Sequence, residues 1–162
     1  MCEKTEFWDD LKSGKFASMV RESAKGKKIT NAEEVYNTVK PLFADQDDIE
    51  SFYCIFLNAK NKMLAIEKMF SGSISSASVY PREIVKRVIS LKSTSVVLIH
   101  NHPSGDPEPS RTDISITARI GIVLDSIGVC IHDHIIVGDE YYSMAGAGEL
   151  KTIQDKISDL MI

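Results

Sequence analysis

Residues 95–113 read SVVLIHNHPSGDPEPSRTD, and the order of residue types in this stretch sets the fold around it. Ser95 to Ile99 is rich in β-branched apolar residues, the composition of a buried strand. His100 and His102 end that strand, and a spacing of two puts both imidazoles on one face. Pro103, Pro107 and Pro109, with Gly105, stiffen the loop that follows and lower the entropy lost in holding it. The loop delivers Ser110 and Asp113 to the first turn of a helix over about 111–126. Two imidazoles and a carboxylate make three protein ligands for a divalent metal, and a zinc site with three keeps a fourth position for water. Each part has a plainer reading. The histidines alone fit strand-end polar groups, and Ser110 with Asp113 alone fits a helix cap, with the acid at the positive end of the dipole. The cap and the metal role are compatible.

Outward from this stretch, apolar periodicity sets the remaining elements. Thr30 and Glu33 have capping-box spacing ahead of Val35, Val39, Leu42 and Phe43, which predicts a helix over 31–44 ended by the acidic run from Asp45 to Glu50. Phe52 to Leu57 reads as a buried strand, Asn58 to Asn61 as a turn and Met63 to Phe70 as the returning strand. A Ser/Gly loop from Ser71 to Ser78 precedes a helix opened by Pro81 and carrying Ile84, Val85, Val88, Ile89 and Leu91. After the 111–126 helix come a strand from Val129 to Val137, a turn at Gly138-Asp139-Glu140, a short strand from Tyr141 to Met144, and a helix from Glu149 to Ile162. The order α-β-β-α-β-α-β-β-α, without repeats, predicts one α+β layered domain. Three parts are expected: an N-terminal helical or mobile appendage over 1–28, with Phe7, Trp8, Leu11, Phe16, Met19 and Val20 as its apolar residues and Lys25 to Lys28 as a linker; a main domain over 30–146; and the C-terminal helix over 147–162.

A second histidine pair, His132 and His134 with Asp133 between them, lies in the 129–137 strand. Strict alternation places Ile131, Asp133 and Ile135 on one face and His132, His134 and Ile136 on the other. No braced loop with an acid follows, so this pair reads as core or as hydrogen-bond support for a metal-bound imidazole, with Asp133 as a candidate partner for such a ring.

Composition narrows the function classes. The 162 residues are 43% hydrophobic and 26% charged, which excludes a disordered or collagen-like chain. The net charge of −4 gives no general attraction to phosphate backbones, so nucleic acid is a disfavoured partner. The charge is uneven: residues 51–99 carry 7 basic and 2 acidic groups, which leaves room for a local basic face or simply a lysine-rich surface. Cys2, Cys54 and Cys130 form no C-x-x-C pair, and the latter two lie in apolar runs where a reduced, buried thiol is expected. No apolar run reaches the roughly 18–20 residues of a membrane helix, and the N-terminus lacks an apolar signal core. A soluble protein in a reducing, cytoplasmic compartment is expected, and the apolar residues of 1–28 invite a homodimer.

The spacing His100-x-His102-x7-Ser110-x2-Asp113 resembles the zinc signature of the JAMM (MPN-plus) metallopeptidases. Together with Pro81-Arg82-Glu83, the HNHPSGDP run from His100 to Pro107, Pro109-Ser110 and Asp133-His134, it is similar more narrowly to the bacterial RadC family, over about residues 30–146. The resemblance implies a JAMM/MPN-like, cytidine-deaminase-like layered mixed β-sheet flanked by helices. It implies Zn2+ held by His100, His102 and Asp113, with Ser110 stabilising a developing oxyanion. It also implies a glutamate upstream as general base and acid. Glu50, in Glu50-Ser51-Phe52, occupies that place and resembles the family's E-x-F pattern. Glu67 and Glu83 compete for the role, and Glu50 also fits a solvated acid in an acidic run. A peptide or protein substrate follows from this resemblance, while the RadC name suggests a DNA-repair or mobile-element accessory role, with or without metal-dependent nuclease activity. A scaffold MPN domain without catalysis is a third reading, against which stands the complete ligand set. Residues 1–28 are too short for the helix-hairpin-helix segment of long RadC chains, and His132 stands where the family more often has an aliphatic residue.

Overall fold

The computed structural model describes residues 9–10, 13–44, 48–72 and 79–161. Cys2, Phe7, Trp8, Leu11, Asp45, the Ser73 to Ser78 part of the Ser/Gly loop and Ile162 lie outside them. Five strands, β1 (Ser51–Leu57), β2 (Met63–Ser71), β3 (Ser95–Asn101), β4 (Cys130–Val137) and β5 (Tyr141–Ser143), form one sheet in the order β2-β1-β3-β4-β5. β3 runs antiparallel to β1 and parallel to β4, and the outer pairs are antiparallel, so the sheet is mixed. The helices are α1 (Lys15–Ala24), α2 (Ala32–Val39), α3 (Pro81–Leu91), α4 (Arg111–Asp125) and α5 (Glu149–Leu160).

Every residue of β1 and β3 is buried. Helical layers cover both faces of the sheet, and this is why these strands are continuous apolar runs rather than alternating ones. On one face, Ile84 and Val88 of α3 and Ile116 and Ile120 of α4 pack on Phe52 and Leu98. On the other, Ala24, Val35, Val39 and Leu42 pack on Ile55 and Ile99. The expected layered α+β fold with a mixed sheet flanked by helices is the fold observed.

Several local readings change. The helix expected over 31–44 stops at Val39 and continues as a 3-10 turn over Lys40–Phe43, where Pro41 has no N–H to donate. Its N-cap is Asn31 rather than Thr30: Asn31 Oδ1 accepts from the Glu34 N–H at 2.9 Å, and Glu34 returns to the Thr30 N–H at 2.9 Å. The 25–28 segment, expected as a linker, hydrogen-bonds along the start of β2, with Gly26 N donating to the Met63 carbonyl at 2.8 Å. Cys54 is buried, but Cys130 is exposed, because it is the first residue of β4.

The largest correction is in β4. Val96 pairs with Ile131 and Val97 with Asp133, so His132 is an extra residue in the strand. A bulge of this kind removes one step of the alternation. Ile131 therefore shares a core with Ile136, whereas Ile135 belongs to the opposite one. His134 stays on the Phe52 side, while His132 is exposed and bonds Asn61 Oδ1 at 3.0 Å.

Candidate metal centre

β3 carries His100 at its C-terminal end, in register between Phe52 of β1 and Ile136 of β4. The strand runs to Asn101, and His102, expected to end it, is the first residue past it. The His102 N–H donates to the Val137 carbonyl at 2.8 Å, which keeps the departing chain against β4. The loop then turns at Gly105, whose φ of +86° suits a glycine. It is clasped from the β4–β5 turn, where the Asp139 N–H donates to the Gly105 carbonyl at 2.7 Å. A Cβ on Gly138 would lie 2.3 Å from that same carbonyl oxygen, so only glycine fits there.

At the far end of the loop, Ser110 is the N-cap of α4. Its Oγ accepts from the Asp113 N–H at 3.1 Å, and Asp113 Oδ2 accepts from the Ser110 N–H at 2.7 Å, completing a capping box. This cap points the Asp113 carboxylate at the histidines. His100 Nε2 is 3.1 Å from Asp113 Oδ1, His102 Nε2 is 3.2 Å from Asp113 Oδ2, and the two Nε2 atoms are 3.0 Å apart. Cap and cluster are thus one device.

The donor set fits a divalent metal. His100, His102 and Asp113 each offer one ligand atom, all within 4.8 Å of one another. Ligand atoms around a tetrahedral ion with bonds of about 2.0–2.1 Å lie roughly 3.3 Å apart, close to the edges of this triangle. His102 Nδ1 lies 2.8 Å from the Asp106 carbonyl oxygen, which can only accept, so Nδ1 carries the proton and a neutral ring turns its Nε2 lone pair to the cluster. Burial pushes the Asp113 carboxyl up, but hydrogen bonds from the His100 and His102 rings in their protonated form overcome it and hold the group well below the usual carboxylate range. The His102 imidazole is raised, first by its hydrogen bond to Asp113 and in smaller part by the negative charge of Glu50.

Glu50 immediately precedes Ser51, the first residue of β1, and its charge acts at His102 as the smallest of the causes that raise that ring. The two competing glutamates are committed elsewhere: Glu67 takes Nε and Nη2 of Arg87 at 2.7 and 2.6 Å, and Glu83 pairs with Lys86 at 3.0 Å in the first turn of α3. Asp133 is not the partner of an imidazole. Its carboxylate accepts from the His134 and Ala145 N–H groups at 2.7 and 2.9 Å and from the Ser143 hydroxyl at 2.5 Å, closing the β4–β5 connection. The ring behind His100 is His134, with His100 Nδ1 and His134 Nε2 2.8 Å apart. Phe52 packs on both rings, stacked on His100 with 12° between planes and edge-on to His134. Asn101 and Thr117 also serve the site, although nothing in the sequence singled them out. A threonine one helical turn after Asp113, on the helix face that carries the candidate ligand, was the available signal.

A mixed sheet covered by helices on both faces, with two histidines and an aspartate converging at the end of its central strand, defines a JAB/MPN-type domain. Residues 29–149 match the RadC-like JAB domain family, and the chain belongs to it. Similar proteins include a UPF0758 protein of Ectopseudomonas mendocina, 51% identical over 61% of this chain and 45% of the relative, and one of Thiobacillus denitrificans, 45% identical over 64% and 46%. A third, from Desulforudis audaxviator, is 44% identical over 59% of this chain and 42% of its own. The matched stretches are less than half the length of these relatives. Among the described residues, no helix is long and apolar enough to cross a membrane.

Proposed function

We propose that this chain is a zinc-dependent hydrolase of amide bonds, with a peptide or protein as substrate. The observation that carries this reading is the triangle of His100 Nε2, His102 Nε2 and the Asp113 carboxylate, three groups within 4.8 Å of one another; the glutamate just ahead of β1, Glu50, adds a negative charge that acts at His102. Zinc in a three-ligand site supplies Lewis acidity, which acidifies water toward neutral pH and polarises a carbonyl oxygen.

The chain's own residues supply the rest. Glu50 takes the proton of the attacking water and hands it to the departing amine, since one carboxylate serves as base and then as acid. Ser110 accepts the Asp113 N–H through its oxygen, which leaves its own hydroxyl proton to donate to the negative charge that develops on the substrate carbonyl. Asp113 supplies the charged ligand and is held in place by the Ser110 N–H.

The test is the full-length chain loaded with stoichiometric zinc, assayed for cleavage of a peptide library beside its Glu50→Gln variant. Cleavage by the wild type and its loss in a variant that keeps its zinc is the expected result. Undiminished cleavage by a zinc-loaded Glu50→Gln protein overturns the mechanism.

A further inference from the structure

We infer that Thr117 and His134 are positioning residues that set the tautomer of His100, so that its Nε2 lone pair faces Asp113 and His102. The geometric part stands by itself, and its consequence for metal binding rests on the zinc reading above.

Proton bookkeeping along one line of buried groups gives the direction. Thr117 and His134 are both fully buried, one on α4 and the other on β4. The Thr117 hydroxyl donates to the Asp113 carbonyl at 2.7 Å, the short back-bond of a helical threonine. A hydroxyl has one proton, so toward His134 Nδ1, 2.6 Å away, Thr117 Oγ1 is the acceptor. His134 Nδ1 therefore carries a hydrogen. A buried neutral imidazole has only one, which leaves a lone pair on Nε2. His100 Nδ1, 2.8 Å from that lone pair, is then the donor, and the free lone pair of a neutral His100 is on Nε2. That atom is the one 3.1 Å from Asp113 and 3.0 Å from His102 Nε2.

The two histidines thus reach one tautomer by different devices, His102 through the Asp106 carbonyl and His100 through a second imidazole anchored on Thr117. Metal-bound imidazoles commonly donate to a carboxylate, a carbonyl or water. A carboxylate behind His100 would bring a second negative charge to the centre, and a neutral imidazole orients the ring without it. Asp113 also joins both ends of the line, as a ligand through its carboxylate and as the acceptor of the Thr117 proton through its carbonyl.

The experiment reads histidine tautomers directly, by long-range 15N–1H correlation on the 15N-histidine-labelled full chain, metal-free and at mildly alkaline pH. Zinc affinity is measured in parallel by chelator competition. The wild type is expected to show Nδ1–H at both His100 and His134. Thr117→Val is expected to move His100 toward Nε2–H and to weaken zinc binding about 10- to 100-fold, the usual loss when a group supporting a metal ligand is removed. Thr117→Ser is expected to restore both readouts. An Nε2–H His100 in the wild type, or an unchanged His100 tautomer in folded Thr117→Val, overturns the inference. Should Thr117→Val fail to fold, the wild-type spectrum decides alone. If the wild type takes up no zinc while its tautomers follow the expected pattern, the metal reading fails and the tautomer assignment stands.

Discussion

The carboxamide of Asn101 grips the main chain on both sides of Glu50: its Oδ1 accepts from the Ser51 N–H at 2.7 Å, and its Nδ2 donates to the Ile49 carbonyl at 3.0 Å. Asn101 lies between the two candidate ligands in sequence and is buried at the end of β3. The strand that presents the histidines therefore also fixes the residue proposed as base. Asn101→Ala leaves a buried N–H and a carbonyl without these partners, at a cost of about 1–3 kcal/mol. Its kcat is expected to fall more than its zinc content. Urea unfolding, metal analysis and steady-state kinetics on one preparation check this, and zinc loss in parallel with kcat would count against Asn101 acting through Glu50.

Gly138→Ala tests the clasp on the metal loop. The new methyl would sit 2.3 Å from the Gly105 carbonyl oxygen and 2.8 Å from its carbon, both backbone atoms. Overpacking of this kind costs about 1–3 kcal/mol. Because the same loop carries the Asp106 carbonyl that orients His102, zinc affinity is expected to drop with stability. A thermal melt and a chelator titration measure the two effects.

The metal-free site has a signed pH dependence. Asp113 is depressed in the folded state, so its contribution is complete above the usual carboxylate value of about 3.9 and is lost as pH falls toward its folded value. His102 is raised by Asp113, so its contribution is complete below about 6.5 and is lost as pH rises through its folded value. Together they favour the folded metal-free protein most between about pH 4 and 6.5. Zinc affinity runs the other way, rising with pH as the proton leaves His102. Denaturant titrations of the metal-free protein across pH, beside zinc titrations at each pH, read both trends.

Glu67→Gln separates the competing glutamates. The pair with Arg87 is partly exposed, so the loss in stability is expected to be at most about 1 kcal/mol, with zinc uptake and cleavage unchanged. A collapse of cleavage in this variant would move the base from Glu50 to Glu67.

Much of this molecule was legible in the chain itself, because it depends on local rules. Strand and helix followed from apolar periodicity, and the sharp start of α4 from Ser110 ahead of Asp113. The spacing of two between His100 and His102, the three prolines and the acid on the next helix pointed to a candidate ligand set, and the family pattern pointed to Glu50 as the candidate base. Tertiary structure decided what depends on neighbours distant in sequence. A single extra residue in β4 reversed the expected sharing of faces, and whether a strand bulges depends on the strand beside it rather than on its own composition. His134 rather than Asp133 stands behind His100 because the parallel pairing of β3 and β4 brings the imidazole there. The Asn101 grip on Glu50 spans fifty residues of chain, and the Gly138 contact with Gly105 requires two turns to meet. Sequence named the groups that could bind a metal, since ligand chemistry belongs to residue types. Only packing fixed which groups orient them, because a hydrogen-bond direction is set by every partner along the line.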